Sequence, residues 1–182
     1  QLVEGVYHTG LINAFGFNGA FLGKGMDKTI IRALPDMVCD FSSIATYPSL
    51  LKFMAYNLTI SSLSIEVLVE KPCLEYEFYE YGPSTVLEGM ILLSGGQAFP
   101  PADECMPVFS QPVNIVIDKV SLKGSNGDWP TYATHNVMHG VEMWDYCQDS
   151  PPDGKWSLKF TRSRIEHTYF GFSRGWLRGL NL

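Results

Sequence analysis

The segment His135-Asn136-Val137-Met138-His139-Gly140-Val141-Glu142 places two imidazoles and a carboxyl group close together in the chain. Imidazole changes charge near neutral pH, and a carboxyl group can donate or accept a proton. The combination therefore suits acid–base chemistry. On a helix, positions 135, 139 and 142 share one face at i, i+4 and i+7, a geometry that can hold a metal ion. On a strand, 135 and 139 still share a face while 142 points to the other. The pattern is not the H-E-x-x-H of zinc proteases, because Asn136 stands where the glutamate would be, and Gly140 weakens a helix. Asp145 and Cys147 are further possible ligands, the cysteine only if unpaired. Ordinary strand histidines are the expectation, so neither a metal nor another cofactor is assigned. His135, His139, Glu142 and the later His167 stand as the acid–base candidates.

A second constellation lies near the end of the chain. Trp156, Leu158 and Phe160 share one strand face, with Lys155, Ser157, Lys159 and Thr161 opposite. Continued in the same parity, Arg162, Arg164 and Glu166 fall on the apolar face. Either a bulge resets the alternation, or a polar cluster lies over an aromatic floor, where buried charges need partners. Glu166 and the acidic run Glu75, Glu77 and Glu80 are the available partners. In the second case guanidinium groups would orient a ligand carboxylate or carbonyl. Trp156, Phe160, Arg162 and Arg164, with Tyr76 and Phe78, form the candidate ligand-binding set. A serine hydrolase is disfavoured because no G-x-S-x-G elbow is present. The glycines from Gly16 to Gly25 do not form a phosphate loop.

The elements that must carry these groups read as strands. Leu63, Ile65, Val67 and Val69 alternate with polar residues, Leu74–Tyr81 alternates again, and Ser84–Leu93 follows a Gly82-Pro83 turn. Together they predict an antiparallel meander. In Val113–Leu122 the apolar set runs 113, 115, 117 and then shifts to 120 and 122, which predicts a bulge near Asp118-Lys119. Pro48–Asn57 predicts a short helix, since Leu50, Leu51, Met54 and Ala55 cluster at helical spacing. Residues 94–112 form a long proline-rich connection. The expected fold is mainly β, an antiparallel β-barrel or sandwich with one or two short helices, and residues 1–182 form a single domain.

Composition narrows the function. Of 182 residues, 46% are hydrophobic and 18% charged, which excludes a disordered chain, and no apolar run is long enough for a spanning helix. The net charge of −6 is uneven, with Lys155, Lys159, Arg162, Arg164, Arg174 and Arg178 opposed only by Glu166 in the last stretch. The acidic remainder argues against nucleic acid as a partner. Cys39, Cys73, Cys105 and Cys147 form an even set without a C-x-x-C pair. Asn57-Leu58-Thr59 is a glycosylation sequon, and the chain begins at Gln1. These features predict a secreted, disulfide-bonded glycoprotein. The aromatic content of 13% and the exposed-looking rings predict a homo- or hetero-oligomer. Its leading function is that of a carrier or storage protein for an apolar small molecule, a lipid or pigment, in an aromatic-lined β cavity. The alternative is a cofactor-independent isomerase, cyclase or lyase using His and Glu acid–base groups.

Overall fold

A computed structural model describes residues 1–39, 48–78, 82–94, 113–125, 136–144, 156–174 and 180–181. The regular structure among them is strand, with no helix. The strands are β1 Gly5–Thr9, β2 Ile12–Phe15, β3 Gly19–Leu22, β4 Thr29–Ala33, β5 Ser49–Met54, β6 Asn57–Glu66, β7 Tyr76–Phe78 and β8 Gly82–Ser84. They continue as β9 Leu87–Ser94, β10 Val113–Lys123, β11 Val137–Trp144, β12 Trp156–Thr161, β13 Arg164–Glu166, β14 Phe170–Arg174 and β15 Leu180–Asn181.

Two parallel sheets account for nearly all of the pairing. The first runs β1-β4-β6-β10-β12-β15, with β3 also on β6 and β13 on β10; the second runs β14-β11-β9-β5-β2. The chain passes from the second sheet to the first and back again. β2 leads to β3 and β4, β5 to β6, β9 to β10, and β11 to β12 and β13. Each passage lies in register on the one before, as in Ile12–Leu51–Ile91–Val141–Phe172. This is the connectivity of a parallel β-solenoid, in which every coil buries its apolar side against its neighbours.

The expected antiparallel barrel or sandwich is therefore corrected. Among the described residues the sole antiparallel pair is the hairpin of β7 with β8, where Tyr76 faces Ser84. An alternation of period two reports which side chains point inward but not the direction of the neighbouring strand, so it fits either pairing. The expected helix at Pro48–Asn57 is β5 and the first residue of β6. Every residue of β5 is buried, so consecutive apolar positions imitated a helical stripe.

The first sheet bends along a column of left-handed residues. Ser62 (φ 60°), Lys119 (φ 54°) and Arg162 (φ 49°) follow the register row Ser61–Asp118–Thr161. Each corner shifts the parity, so Leu58 and Ile60 point inward before it and Leu63 and Ile65 after it. In the next coil Ile115 and Ile117 are followed by Val120 and Leu122, and all eight are buried in the core. The parity shift at Asp118-Lys119 and the puzzle at Arg162 thus have one cause. The corner is tied by Arg162, which donates to both Asp118 carboxylate oxygens at 2.8 and 2.5 Å, and by Thr161, whose hydroxyl donates to Asp118 at 2.8 Å. The backbone N–H of Val120 donates to Ser163 Oγ at 2.9 Å.

A disulfide joins Cys39, after β4, to Cys73, after β6, and so staples two successive coils; Met37 pairs with Cys73 beside it. Cys105 and Cys147 lie outside the described residues. Among the described residues no helix is long and apolar enough to cross a membrane.

Candidate functional site

The second sheet also breaks its alternation, in a different way. Its register runs Ser49–Gly89–His139–Phe170 and resumes at Leu51–Ile91–Val141–Phe172, passing over Leu50, Met90 and Gly140. The carbonyl of Pro48 accepts from the backbone N–H of both Glu88, at 2.9 Å, and Gly89, at 3.4 Å. Two consecutive residues of each strand turn inward at this step. Leu50 and Leu51, and likewise Met90 and Ile91, all belong to the core. A Cβ on Gly140 would come 2.5 Å from Ile165 Cγ2 of β13, so a glycine is required there. Phe172 meets Phe160 of β12 edge-on at 4.9 Å, which places the row containing Val141 inside as well.

An inward pair leaves the residues on either side of it pointing outward. Rows 49/89/139 and 52/92/142 flank a dent in the backbone and converge across it on the outer face of the solenoid. Leu92 fits this placement, being buried yet outside the interior core cluster. The dent gathers Ser49 and Lys52 from β5, Glu88 from β9, and His139 and Glu142 from β11. All five are buried, with relative exposures of 2%, 7%, 7%, 8% and 2% in that order.

His139 Nε2 lies 3.3 Å from Glu88 Oε1. One donor atom each from Glu88, His139 and Glu142 falls within 4.8 Å of the others. The imidazole stacks on Phe170 with ring centroids 5.3 Å apart. Gly89 stands between two of these groups, since a Cβ there would lie 3.0 Å from Ser49 Oγ and 3.7 Å from Glu142 Oε2. Burial pushes the Glu142 carboxyl group up to about 8, helped by the neighbouring Glu88 and opposed by Lys52. Burial pulls the Lys52 ammonium below its usual range, against the attraction of Glu142. Near neutral pH Glu142 is therefore mostly a neutral acid able to donate. Ser49 Oγ, His139 Nδ1 and Glu142 Oε2 are buried without a hydrogen-bond partner among the described residues. Leaving such an atom unmatched costs about 1–3 kcal/mol, so three in one cluster set this place apart from the rest of the sheet.

Of the acid–base candidates read from the sequence, His139 and Glu142 are brought together, although plain strand geometry would have separated them. His135 lies outside the described residues. His167 is exposed, at a left-handed position (φ 56°) between β13 and β14. Of the ligand-binding set, Trp156 is buried in the core and Phe160 is half-buried against Phe172. Arg162 and Arg164 point to solvent on the first sheet, away from any aromatic floor. Tyr76 and Phe78 form part of the β7 hairpin. Lys52, Glu88 and Ser49 were not singled out from sequence. The available signal was a charge set inside an apolar run, in Leu50-Leu51-Lys52-Phe53-Met54 and in Leu87-Glu88-Gly89-Met90-Ile91.

No family model matches the chain, and neither a curated protein nor a solved structure matches it.

Proposed function

We propose that the chain is an enzyme of the isomerase or lyase type whose acid–base groups lie in the outer dent of the second sheet. The observation that carries this reading is the convergence of His139, Glu88, Glu142 and Lys52, with three buried polar atoms in the cluster that lack partners among the described residues. Glu88 holds His139 through Nε2, leaving Nδ1 to take a proton from carbon next to a carbonyl. The C–H electron pair becomes a C=C bond, and negative charge moves to the carbonyl oxygen. Glu142, carrying its proton, donates to that oxygen, and the Lys52 ammonium adds attraction. Return of a proton at another carbon completes an isomerisation, and departure of a leaving group completes an elimination. Each positioned acid or base of this kind contributes about 10²–10⁴-fold in rate.

This reading is preferred over the carrier because the described interior is packed with aliphatic side chains, Ile60, Ile117 and Leu158 among them. The proposal includes a secretory route, supported by the Cys39–Cys73 disulfide and the exposed Asn57 at the start of β6. Exposed Phe170 and Phe172 support the accompanying oligomer.

The test is exchange of α-protons for deuterium, read by NMR, across a panel of small ketones, aldehydes and carboxylates. Catalysed exchange of at least one compound is expected, falling at least a hundredfold in His139→Asn and unchanged in His167→Ala. Exchange of no compound, or exchange that survives both His139→Asn and Glu142→Gln, overturns the reading.

A further inference from the structure

We infer that the same dent binds one divalent transition-metal ion, held by Glu88, His139 and Glu142. One donor from each lies within 4.8 Å of the others. Ligands on a common ion at about 2.0–2.2 Å stand roughly 3–4 Å apart, so small side-chain rotations close the set. The chemistry of the donors selects the ion. Imidazole with carboxylates suits zinc, cobalt, iron or manganese, whereas calcium and magnesium take oxygen donors alone. Binding displaces the proton of Glu142 to solvent, and the two carboxylates then balance the double charge of the ion while the imidazole stays neutral.

Independent observations point to a ligand at this position. Among the described residues Glu142 Oε2 and Ser49 Oγ are buried and unmatched, and both lie within 4 Å of the position a Cβ on Gly89 would take. The serine hydroxyl stands ready as a fourth donor. With it the set reaches four donors, the number usual for zinc. The ligands come from β9 and β11, which pair through Val137–Leu87 at one end and Trp144–Ser94 at the other. Lys52 opposes the ion, because it attracts the same Glu142 carboxyl group.

Metal binding does not require the isomerase or lyase reading to hold. An ion on His139 and Glu142 takes the groups that proton transfer needs, so proton transfer belongs to the ion-free chain and the ion acts as its inhibitor.

The experiment uses the full chain, stripped by chelator and titrated with Co²⁺ by absorption and with Zn²⁺ by calorimetry. One saturable ion per chain is expected. Glu88→Gln, His139→Ala and Glu142→Gln should each weaken it at least tenfold, and Gly89→Ala should weaken it by crowding Ser49 Oγ and Glu142 Oε2. Lys52→Met should tighten it, which a merely structural lysine would not do. His8→Ala and His167→Ala should leave it unchanged. Should His139→Ala fail to fold, the wild-type stoichiometry and the Lys52→Met response still decide the matter. Absence of saturable uptake, or uptake lost only with His8→Ala or His167→Ala, overturns the inference. Deuterium exchange in chelator separates the two claims. Exchange without Co²⁺ uptake removes the metal alone, and Co²⁺ uptake without exchange removes the acid–base reading alone.

Discussion

The corner of the first sheet and the dent of the second both interrupt strand alternation, yet they leave their polar atoms in opposite conditions. At the corner, Asp118 accepts from Arg162 and Thr161, Ser163 accepts from Val120, and the charged side chain of Arg162 is 65% exposed. Its irregularity is satisfied and solvated. In the dent, five polar or charged side chains are buried and three of their atoms find no partner among the described residues. A solenoid needs corners in order to close each coil, so a satisfied break is architecture. A break that buries polar groups unmatched lowers stability, and its persistence calls for a use. The comparison predicts that the corner tolerates substitution while the dent responds sharply, and sometimes favourably, to losing its polar atoms.

The largest effect should come from the charge of Glu142. Its folded-state value of about 8 lies above the ordinary 4.5, so the native state binds this proton more tightly than the unfolded chain. The associated stability is fully present below about pH 4.5 and is lost progressively as pH rises through about 8. Urea unfolding of the wild type should show a loss of a few kcal/mol across that interval, since each tenfold difference in proton affinity between the two states is worth about 1.4 kcal/mol. Glu142→Gln keeps the shape and removes the titration, so its stability should be nearly flat over the same window and exceed wild type at pH 8. Parallel curves for the two proteins would mean that the carboxyl group is not held in its neutral form.

Next in size is Gly140→Ala. The added methyl group would meet Ile165 Cγ2 at 2.5 Å and the Gly171 carbonyl at 2.8 Å, so backbone must shift. A loss of about 2–3 kcal/mol is expected from overpacking. Gly89→Ala in the same dent meets its nearest atom, Ser49 Oγ, at 3.0 Å and should cost about 1 kcal/mol, because a serine hydroxyl can rotate away. Equal losses would show that the two glycines do not occupy inner and outer sides of the dent.

The inward–outward pattern of the first sheet was legible, down to the shift at Asp118-Lys119, because a left-handed corner changes parity in a way that side-chain types record. The parallel partners were not legible, since Ile60, Ile117 and Phe160 pair across long stretches of sequence. Two of the five residues of the dent could be read, as His139 and Glu142 sit close together in the chain. Lys52 and Glu88 come from other coils, and only the register of β5, β9 and β11 brings them alongside. The helix predicted at Pro48–Asn57 fails for a related reason. A strand buried on both faces has no alternation to display.

The smallest expected effect tests the corner. Lys119 is exposed and left-handed, with φ 54°. An L-residue in that conformation costs about 1–2 kcal/mol, whereas glycine adopts it freely but gives up about 0.5–1 kcal/mol in unfolded-chain entropy. Lys119→Gly should therefore stabilise the protein by roughly 0.5 kcal/mol in urea unfolding, the difference between those two contributions. Arg162→Gly relieves the same backbone strain one coil further on but removes both hydrogen bonds to Asp118, so it should show no gain. A destabilised Lys119→Gly would mean that the lysine side chain, rather than the handedness of its backbone, holds the corner, and the distinction between a satisfied break and a strained one would then have to be redrawn.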